Sequence, residues 1–270
     1  MLDNTINAPI IEVKAASIRF DKGEAKGKLA IDNVSLSIAT GKIIGIVGTS
    51  GCGKTTLARA IAGLLSLTSG DILFYGNSIK SLSRSQMLSY RRNVQLVFQD
   101  TLGALNPRMT IAATIEEVLK VHRRDELPTH SAREQEIKRL LDKVELPHTI
   151  LSSYPHEISG GQRQRIGIAR ALAVKPQLLI ADEPVSALDV SVQAPIIKML
   201  ARLIAEEKMT MLFIAHDLAV VRCLCDEVII MNSGRIEEAG ACEEVYSSPK
   251  SQFTKLLLSA IPDISSNDNN

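Results

Sequence analysis

The stretch Gly48-Thr49-Ser50-Gly51-Cys52-Gly53-Lys54-Thr55-Thr56 decides the fold of this chain. It matches the phosphate-loop pattern G-x-x-x-x-G-K-[ST] at every fixed position. A β-rich apolar run precedes it at residues 42–47, and residues 56–65 follow it with apolar side chains at helical spacing. The loop therefore lies between a strand and a helix, which predicts an α/β fold.

The residue types of this loop suit a chain of phosphates. Glycines at 48, 51 and 53 let the backbone curl, so that successive N–H groups point at phosphate oxygens near the positive end of the following helix. Lys54 is expected to reach the β- and γ-phosphates, and the Thr55 hydroxyl is expected to bind Mg²⁺. The alternative, a chance glycine-rich turn, is disfavoured by the flanking strand and helix. A nucleoside triphosphate is the predicted ligand.

The composition is that of a globular protein with balanced charge. Of 270 residues, 45% are hydrophobic, and 31 basic residues oppose 30 acidic ones for a net charge of +1. No global field favours nucleic acid or a lipid surface, and no apolar run approaches the ~18 residues of a membrane span. The cysteines lack zinc spacing and are expected to be small apolar fillers, while an exposed loop thiol at Cys52 would fit a reducing compartment. We expect a soluble, cytoplasmic protein without a signal peptide.

Strand patterns lie on both sides of the loop. The first two predict an antiparallel layer ahead of it, and the short, nearly all-apolar runs are typical of a parallel sheet buried on both faces. A hairpin with the loop Asn232-Ser233-Gly234 comes near the end, followed by two short helices. The predicted strands are residues 10–20, 29–38, 42–47, 71–75, 94–98, 177–181, 211–215, 227–231 and 235–238.

Between residues 110 and 174 the pattern is helical instead. We interpret residues 106–174 as a helical subdomain inserted into an α/β core of residues 10–105 and 175–240. Residues 241–270 then form C-terminal helices and a mobile tail, and residues 1–270 are one domain. The last predicted helix of the insert begins at Ser159-Gly160-Gly161-Gln162, where Ser159 and Gln162 fit a capping box and the two glycines leave the first amides uncovered. This helix end is either a bare anion site or an ordinary cap.

Polar side chains follow the ends of predicted strands. The carboxyl ends of parallel strands meet at the ligand crevice of an α/β sheet. Asp182 is therefore expected to hold Mg²⁺, Glu183 to polarise an attacking water, and His216 to contact the γ-phosphate. Gln99 either touches the metal ion or is a solvated loop amide. Phe20, which ends a strand, either belongs to the core or stacks on a base.

In this order, GTSGCGKTT, Gln99, ISGGQ, LLIADEP, SALD and His216 resemble the motifs of ATP-binding subunits of ABC transporters, over residues 10–246. The resemblance implies a P-loop NTPase core with a mainly parallel sheet, an N-terminal antiparallel β layer and an inserted α-helical subdomain. It also implies the role of each motif residue. These are Walker A at Gly48 to Thr56, the Q-loop Gln99, the signature at Ser159, Gly160, Gly161 and Gln162, the Walker B Asp182, the general base Glu183, the D-loop Asp189, the switch His216 and the A-loop aromatic Phe20.

The resemblance further implies an ATPase at the cytoplasmic face of the inner membrane. Two ATP-binding subunits, either self copies or related chains, would lie head to tail, so that each ATP meets the Walker A of one chain and the signature of the other. Two transmembrane permease subunits would be driven through the helical insert, with a substrate-binding protein as an indirect partner. ATP and Mg²⁺ are the implied cofactors, and no nucleic acid is involved.

Finer features resemble the importers of peptides and nickel. They are FQDTLGALNPRMT, YPHEISGGQRQRIGIARAL and SSPKSQFTKLLLSAIP. Ser251-Gln252-Phe253-Thr254 stands where that branch carries HPYT, and a cysteine-bearing tail is absent, so no iron–sulfur cluster is expected. The cargo stays open among peptide, nickel, opine and metallophore.

Two other functions agree less well with the sequence. A soluble ABC-type ATPase acting on DNA or ribosomes usually carries a long coiled coil or two fused cassettes, and this sequence shows neither. A binding or regulatory module without activity is disfavoured because Lys54, Glu183 and His216 are all present.

Overall fold

The structure is a computed structural model, and it describes residues 9–20, 27–99 and 101–259. The predicted mobile tail lies outside these ranges. The chain divides into a first compact unit of residues 1–80 and 212–270 and a second of residues 81–211. The subdivision into core, helical insert and C-terminal segment stays a prediction.

The predicted strands are all present, with shifted ends. The strands are β1 (Pro9–Arg19), β2 (Leu29–Ala39), β3 (Ile43–Gly48), β4 (Ser69–Phe74), β5 (Asn77–Ser78), β6 (Val94–Val97), β7 (Leu178–Asp182), β8 (Thr210–Ile214), β9 (Glu227–Asn232) and β10 (Arg235–Ala241). The helices are α1 (Lys54–Ile61), α2 (Arg84–Asn93), α3 (Thr101–Ala104), α4 (Ile111–His122), α5 (His130–Lys143), α6 (Gly160–Leu172), α7 (Val190–Glu207), α8 (Leu218–Leu224), α9 (Cys242–Ser247) and α10 (Gln252–Ser259). Short 3-10 helices lie at Ile79–Ser81, His148–Ser152 and Pro155–Glu157.

The first unit contains the predicted antiparallel layer. Its strand order is β2-β1-β4-β5, and Val13 of β1 pairs with Leu36 on one side and Ile72 on the other. Val13 and Ile72 are buried, as expected for one face of a sheet that packs on a core.

The same unit holds the strand that leads into the glycine loop. The order there is β10-β9-β3-β8, with β3 parallel to β9 and β9 antiparallel to β10. The side chains of β3 and β9 are buried except at the strand ends, which is typical of strands covered on both faces. Gly48, the last residue of β3, pairs with Met231 of β9.

Helix α1 is shorter than predicted. It ends at Ile61, and Gly63 follows with a φ of +68°. The N–H of Leu64 donates to the carbonyl of Arg59 at 2.9 Å, so the chain leaves the helix through a glycine-dependent C-terminal motif. The apolar residues continue to residue 65, so the sequence pattern predicted a longer helix.

The hairpin between β9 and β10 has a two-residue turn rather than the predicted three-residue loop. Asn232 pairs with Arg235, which places Asn232 in β9 and leaves Ser233 and Gly234 as the turn. Their φ angles are +49° and +83°. Positive φ at both turn residues is the geometry that matches the twist of the paired strands.

The second unit combines a parallel strand pair with helices. In it β6 lies parallel to β7, with Leu96 opposite Ile180. Helices α4, α5 and α6 pack against one another. The charged side chain of Arg123 is buried among them, where it donates to Glu126 at 2.9 Å, to Glu136 at 2.7 Å and to the carbonyl of Ala173 at 3.1 Å. This pairing offsets the cost of burying a guanidinium.

Helix α2 is not among the predicted elements, because its residues are mostly polar and only Tyr90 is buried. Its start is marked by a capping box in which the Ser83 hydroxyl accepts from the N–H of Gln86 and the Gln86 amide accepts from the N–H of Ser83. Among the helices that the structure describes, none is both long and apolar enough to cross a membrane.

Candidate nucleotide-binding site

The glycine loop connects β3 to α1 in the first unit. Helix α1 begins after Gly53 without a side-chain cap, and its first turn holds no acidic residue. Gly51 and Gly53 have φ angles of +74° and +109°, which favour glycine. A Cβ on Gly53 would lie 2.5 Å from the carbonyl oxygen of Ala30, whereas one on Gly51 would meet nothing within 4 Å.

Lys54 lies inside the loop. Its side chain is 4% exposed, and Nζ donates to the carbonyl of Gly48 at 2.8 Å and of Thr49 at 3.2 Å. A buried ammonium at an uncapped helix start, in a helix whose first turn holds no acidic residue, is a concentration of positive charge. The residues present therefore fit a phosphate group. In the same loop Thr49 and Ser50 are exposed, and Thr55 and Thr56 are half-buried.

Cys52 is buried, and the expectation of an exposed loop thiol was wrong. Its side chain is 3% exposed and packs against Gly48. Burial raises the pKa of the Cys52 thiol, and the charge of Lys54 only partly offsets this. Cys225 and Cys242 are buried as well, whereas Cys223 is exposed, so the apolar-filler interpretation fails for Cys223.

The carboxylates after β7 lie in the second unit. Asp182 ends the strand and Glu183 follows it, and both are buried, at 2% and 7% exposure. Glu183 has a φ of +49°, a left-handed conformation that is unusual for a residue with a side chain. The backbone therefore turns sharply at the end of the strand.

Two side chains hold Glu183 in this conformation. Gln99 Nε2 donates to Glu183 Oε2 at 2.8 Å and lies 3.1 Å from Ser186 Oγ. The Ser186 hydroxyl donates to the carbonyl of Glu183 at 3.1 Å. Gln99 is therefore not a simple solvated amide, because its Nε2 binds Glu183 and Ser186. The other atom of the amide group, Oε1, is the one suited to a metal ion.

Ser186 was not singled out from the sequence, although it opens the SALD motif. The available signal was its position three residues after Glu183, the spacing at which a serine hydroxyl reaches back to a turn carbonyl.

The capping box at α6 is present as predicted. Ser159 Oγ accepts from the N–H of Gln162 at 3.2 Å, and Gln162 Oε1 accepts from the N–H of Ser159 at 2.9 Å. A Cβ on Gly161 would lie 2.7 Å from Val192, and one on Gly160 would lie 3.2 Å from Leu188. The glycines therefore permit close packing of α6 within the second unit, in addition to leaving its first amides uncovered.

The remaining site residues are divided between the units. In the first unit, exposed His216 follows β8, and half-buried Phe20 follows β1, where it exchanges backbone hydrogen bonds with Gly27 and Lys28. In the second unit, exposed Asp189 precedes α7 without a side-chain capping bond. Within the described ranges, no cluster of three or more His, Cys, Asp and Glu side chains is arranged for a metal ion.

Comparison with known proteins supports one family. The family model described as ABC transporter matches residues 31–186. The oligopeptide transport ATP-binding protein OppF of Streptococcus mutans is 46% identical over 94% of this chain and 82% of its own length. The dipeptide transport ATP-binding protein DppF of Lactococcus lactis is 45% identical over 94% of this chain and 81% of its own.

A solved structure agrees with these relatives. The ATP-binding cassette MJ0796, in a dimeric post-hydrolysis state bound to ADP and Pi, is 28% identical to this chain. It matches with a TM-score of 0.77 over 86% of this chain and 98% of its own. The predicted α/β P-loop fold is thereby confirmed.

Proposed function

The chain belongs to the ABC transporter family as an ATP-binding subunit that hydrolyses ATP, and from this premise we propose that it energises the import of peptides. The support is that the two relatives described above are named for oligopeptide and dipeptide transport. Neither is named for nickel, which stays an alternative prediction, and the comparisons lend no support to an ATPase acting on DNA or ribosomes.

The partners follow from this proposal. The subunit would lie at the cytoplasmic face of the inner membrane, beneath two transmembrane permease subunits and beside a second ATP-binding subunit. A substrate-binding protein would deliver the peptide from the other side. The dimeric state in which MJ0796 was solved supports the pairing of two cassettes.

The observation that carries the nucleotide site is the glycine loop at the uncapped start of α1, with the ammonium of Lys54 buried in it. Lys54 and the loop amides would bind the phosphates, and His216 would contact the γ-phosphate. Phe20, half-buried at the end of β1, would stack on the adenine.

Roles toward the metal ion and the attacking water are proposed for each unit by itself. In the first unit Thr55 would bind Mg²⁺, which would neutralise phosphate charge, and in the second unit Gln99 through Oε1 and Asp182 are the proposed Mg²⁺ ligands. Glu183 would accept the proton of the attacking water, because Gln99 and Ser186 orient its carboxylate and backbone.

The site would be completed by a second cassette. The uncovered amides at Ser159 to Gln162 and the exposed carboxylate of Asp189 would act on the nucleotide bound to the partner subunit. The loop from Gly48 to Thr56 is then half of a site rather than a whole one.

The role of Glu183 is tested by Glu183→Gln, which keeps the shape but cannot accept the proton. We expect ATP hydrolysis to fall by about 100-fold or more while ATP affinity is retained. Glu134→Gln, at an exposed position of α5, is the matched control and should hydrolyse ATP at the wild-type rate. Wild-type hydrolysis in Glu183→Gln would rule out this role.

The cargo is tested in proteoliposomes that contain the subunit with its co-expressed permease and binding protein. Peptide-loaded binding protein should stimulate ATP hydrolysis, and a nickel chelate should not. Stimulation by the chelate alone would replace the peptide proposal with the nickel alternative.

A further inference from the structure

The turn between β9 and β10 contacts the glycine loop of the first unit directly. The N–H of Gly234 donates to the carbonyl of Cys52 at 2.9 Å. The carbonyl of Gly234 accepts from the N–H of Asp32 in β2, also at 2.9 Å. The turn thus bridges the loop and a neighbouring strand through main-chain atoms on both sides.

This contact sets the direction of a donor in the loop. The carbonyl and the N–H of one planar peptide unit point in opposite directions. Because the carbonyl of Cys52 is held on the turn, the N–H of Gly53 must point away from it. That N–H belongs to the residue before α1, among the donors expected to meet phosphate oxygens.

Other backbone supports the loop in the same way. A Cβ on Gly48 would lie 2.0 Å from the carbonyl oxygen of Met231, and one on Gly53 would lie 2.5 Å from that of Ala30. The loop is therefore in close contact with β9 and β2, and its shape depends on where these strands and their turn lie.

We propose that the Ser233–Gly234 turn is a positioning element for the phosphate loop, which orients the Cys52–Gly53 peptide and thereby sets the affinity for ATP. The inference rests on the proposed role of the loop in binding ATP. Gly234 is needed because its φ is +83° and because a Cβ would lie 2.9 Å from the carbonyl oxygen of Ala30. Ser233 and Gly234 themselves would touch no part of the nucleotide.

The ion pair beside the turn is a second restraint. Nε of Arg235 donates to Oδ2 of Asp32 at 2.7 Å, and the same Asp32 provides the N–H that Gly234 accepts. The side chain of Arg235 is 70% exposed, so its ion pair with Asp32 is expected to hold the turn less firmly than the buried main-chain hydrogen bonds.

A matched pair of glycine variants tests the proposal. The turn between β4 and β5 is also a two-residue turn with positive φ, +46° at Tyr75 and +77° at Gly76, and a Cβ on Gly76 would meet nothing within 4 Å. Gly76→Ala and Gly234→Ala therefore carry similar backbone strain in the same unit, but only Gly234→Ala disturbs the loop.

The measured quantities are the KM for ATP, kcat, and the inhibition constant of tripolyphosphate, which lacks the nucleoside. In Gly234→Ala we expect the KM and the tripolyphosphate constant to rise together by about tenfold, the loss expected from one misplaced donor to a charged group. The kcat should stay near wild type, and Gly76→Ala should leave all three unchanged. Equal KM values in the two variants would overturn the proposal.

Arg235→Ala covers the case in which Gly234→Ala does not fold. We expect its KM to rise about threefold, with Arg235→Lys returning it toward wild type. An unchanged KM in Arg235→Ala would then overturn the proposal. A wild-type protein that neither binds nor hydrolyses ATP would instead refute the proposed function, and this inference with it.

Discussion

Glu183 is the residue at which backbone strain and side-chain contacts meet. A non-glycine residue in the left-handed region costs about 1–3 kcal/mol unless its surroundings enforce it. Here the hydroxyl of Ser186 binds its carbonyl and the amide of Gln99 binds its carboxylate. The strain thus points the carboxylate in one direction, which is what a general base requires.

Ser186→Ala should weaken this orientation. We expect kcat for ATP hydrolysis to fall about tenfold with the KM little changed, because in this proposal the hydroxyl orients the proposed base, Glu183, and does not bind ATP. Ser131→Ala, at an exposed position of α5, serves as control, and Ser186→Thr should recover much of the rate. A KM effect without a kcat effect would contradict the assignment.

The Cys242 thiol should make the protein sensitive to alkali. Burial, followed by the charges of Asp226, Glu243 and Glu227, raises its pKa from 9.0 to about 11. Because the folded state holds the proton more tightly, its contribution to stability is complete below pH 9 and is lost as the pH rises to about 11.

The free energy of unfolding of wild type should therefore fall between pH 9 and about 11 by about 1–2 kcal/mol more than that of Cys242→Ala. Urea unfolding at both ends of this range measures the difference. Equal losses in the two proteins would contradict the prediction.

At the scale of elements, helix ends are where distant parts of the chain meet. The start of α10 is bound by Glu238 of β10, whose carboxylate accepts from the N–H of Lys250 at 2.9 Å and of Ser251 at 3.0 Å. Partial burial alone would raise the pKa of Glu238, but these N–H groups hold it below the usual value. A strand residue thus adds to the local cap of Ser251, whose hydroxyl accepts from the N–H of Phe253 at 3.2 Å.

Glu238→Ala should loosen α10. Loss of the cap is expected to cost about 1 kcal/mol, so amide hydrogen exchange within Gln252–Ser259 should become several-fold faster. Glu237→Ala, the neighbouring position of β10, is the control and should leave the exchange of α10 unchanged. Unaltered exchange in Glu238→Ala would contradict this capping role.

At the scale of the whole molecule, the proposed site residues are divided between two compact units. The glycine loop and His216 belong to the first unit, and Glu183 and the helix start at Ser159 belong to the second. Two cassettes arranged head to tail would join the loop of one chain to the Ser159 helix of the other. The two halves of such a site can be inactivated separately.

Mixing two inactive variants tests this arrangement. Lys54→Ala removes the proposed phosphate ligand, and Ser159→Arg blocks the helix start that would face the nucleotide of the partner subunit. Each alone should lack ATP hydrolysis, whereas their mixture forms heterodimers with one intact composite site and should regain activity. A mixture no more active than its components would contradict the composite site. Mixing each variant with more of itself is the control.

The sequence by itself determined the loop, the strands, most helices and the capping box at Ser159. These features depend on residues that are close along the chain, since periodicity and caps act within a few positions. The polar residues after the strands could also be named, because strand ends of an α/β sheet face the ligand. The local signals failed where they were incomplete, at α2 and at the Ser233–Gly234 turn.

Only the tertiary structure decided the contacts between distant residues. Two hydrogen bonds join segments that no local pattern connects, from Gly234 to Cys52 and from Gln99 to Glu183. The burial of Cys52 likewise could not be predicted from its neighbours in sequence. The physical reason is that hydrogen-bond direction and burial depend on where the folded chain brings the partner. Local residue types thus predicted the chemistry of the site, whereas the orientation of its side chains and peptide groups depends on contacts that form only on folding.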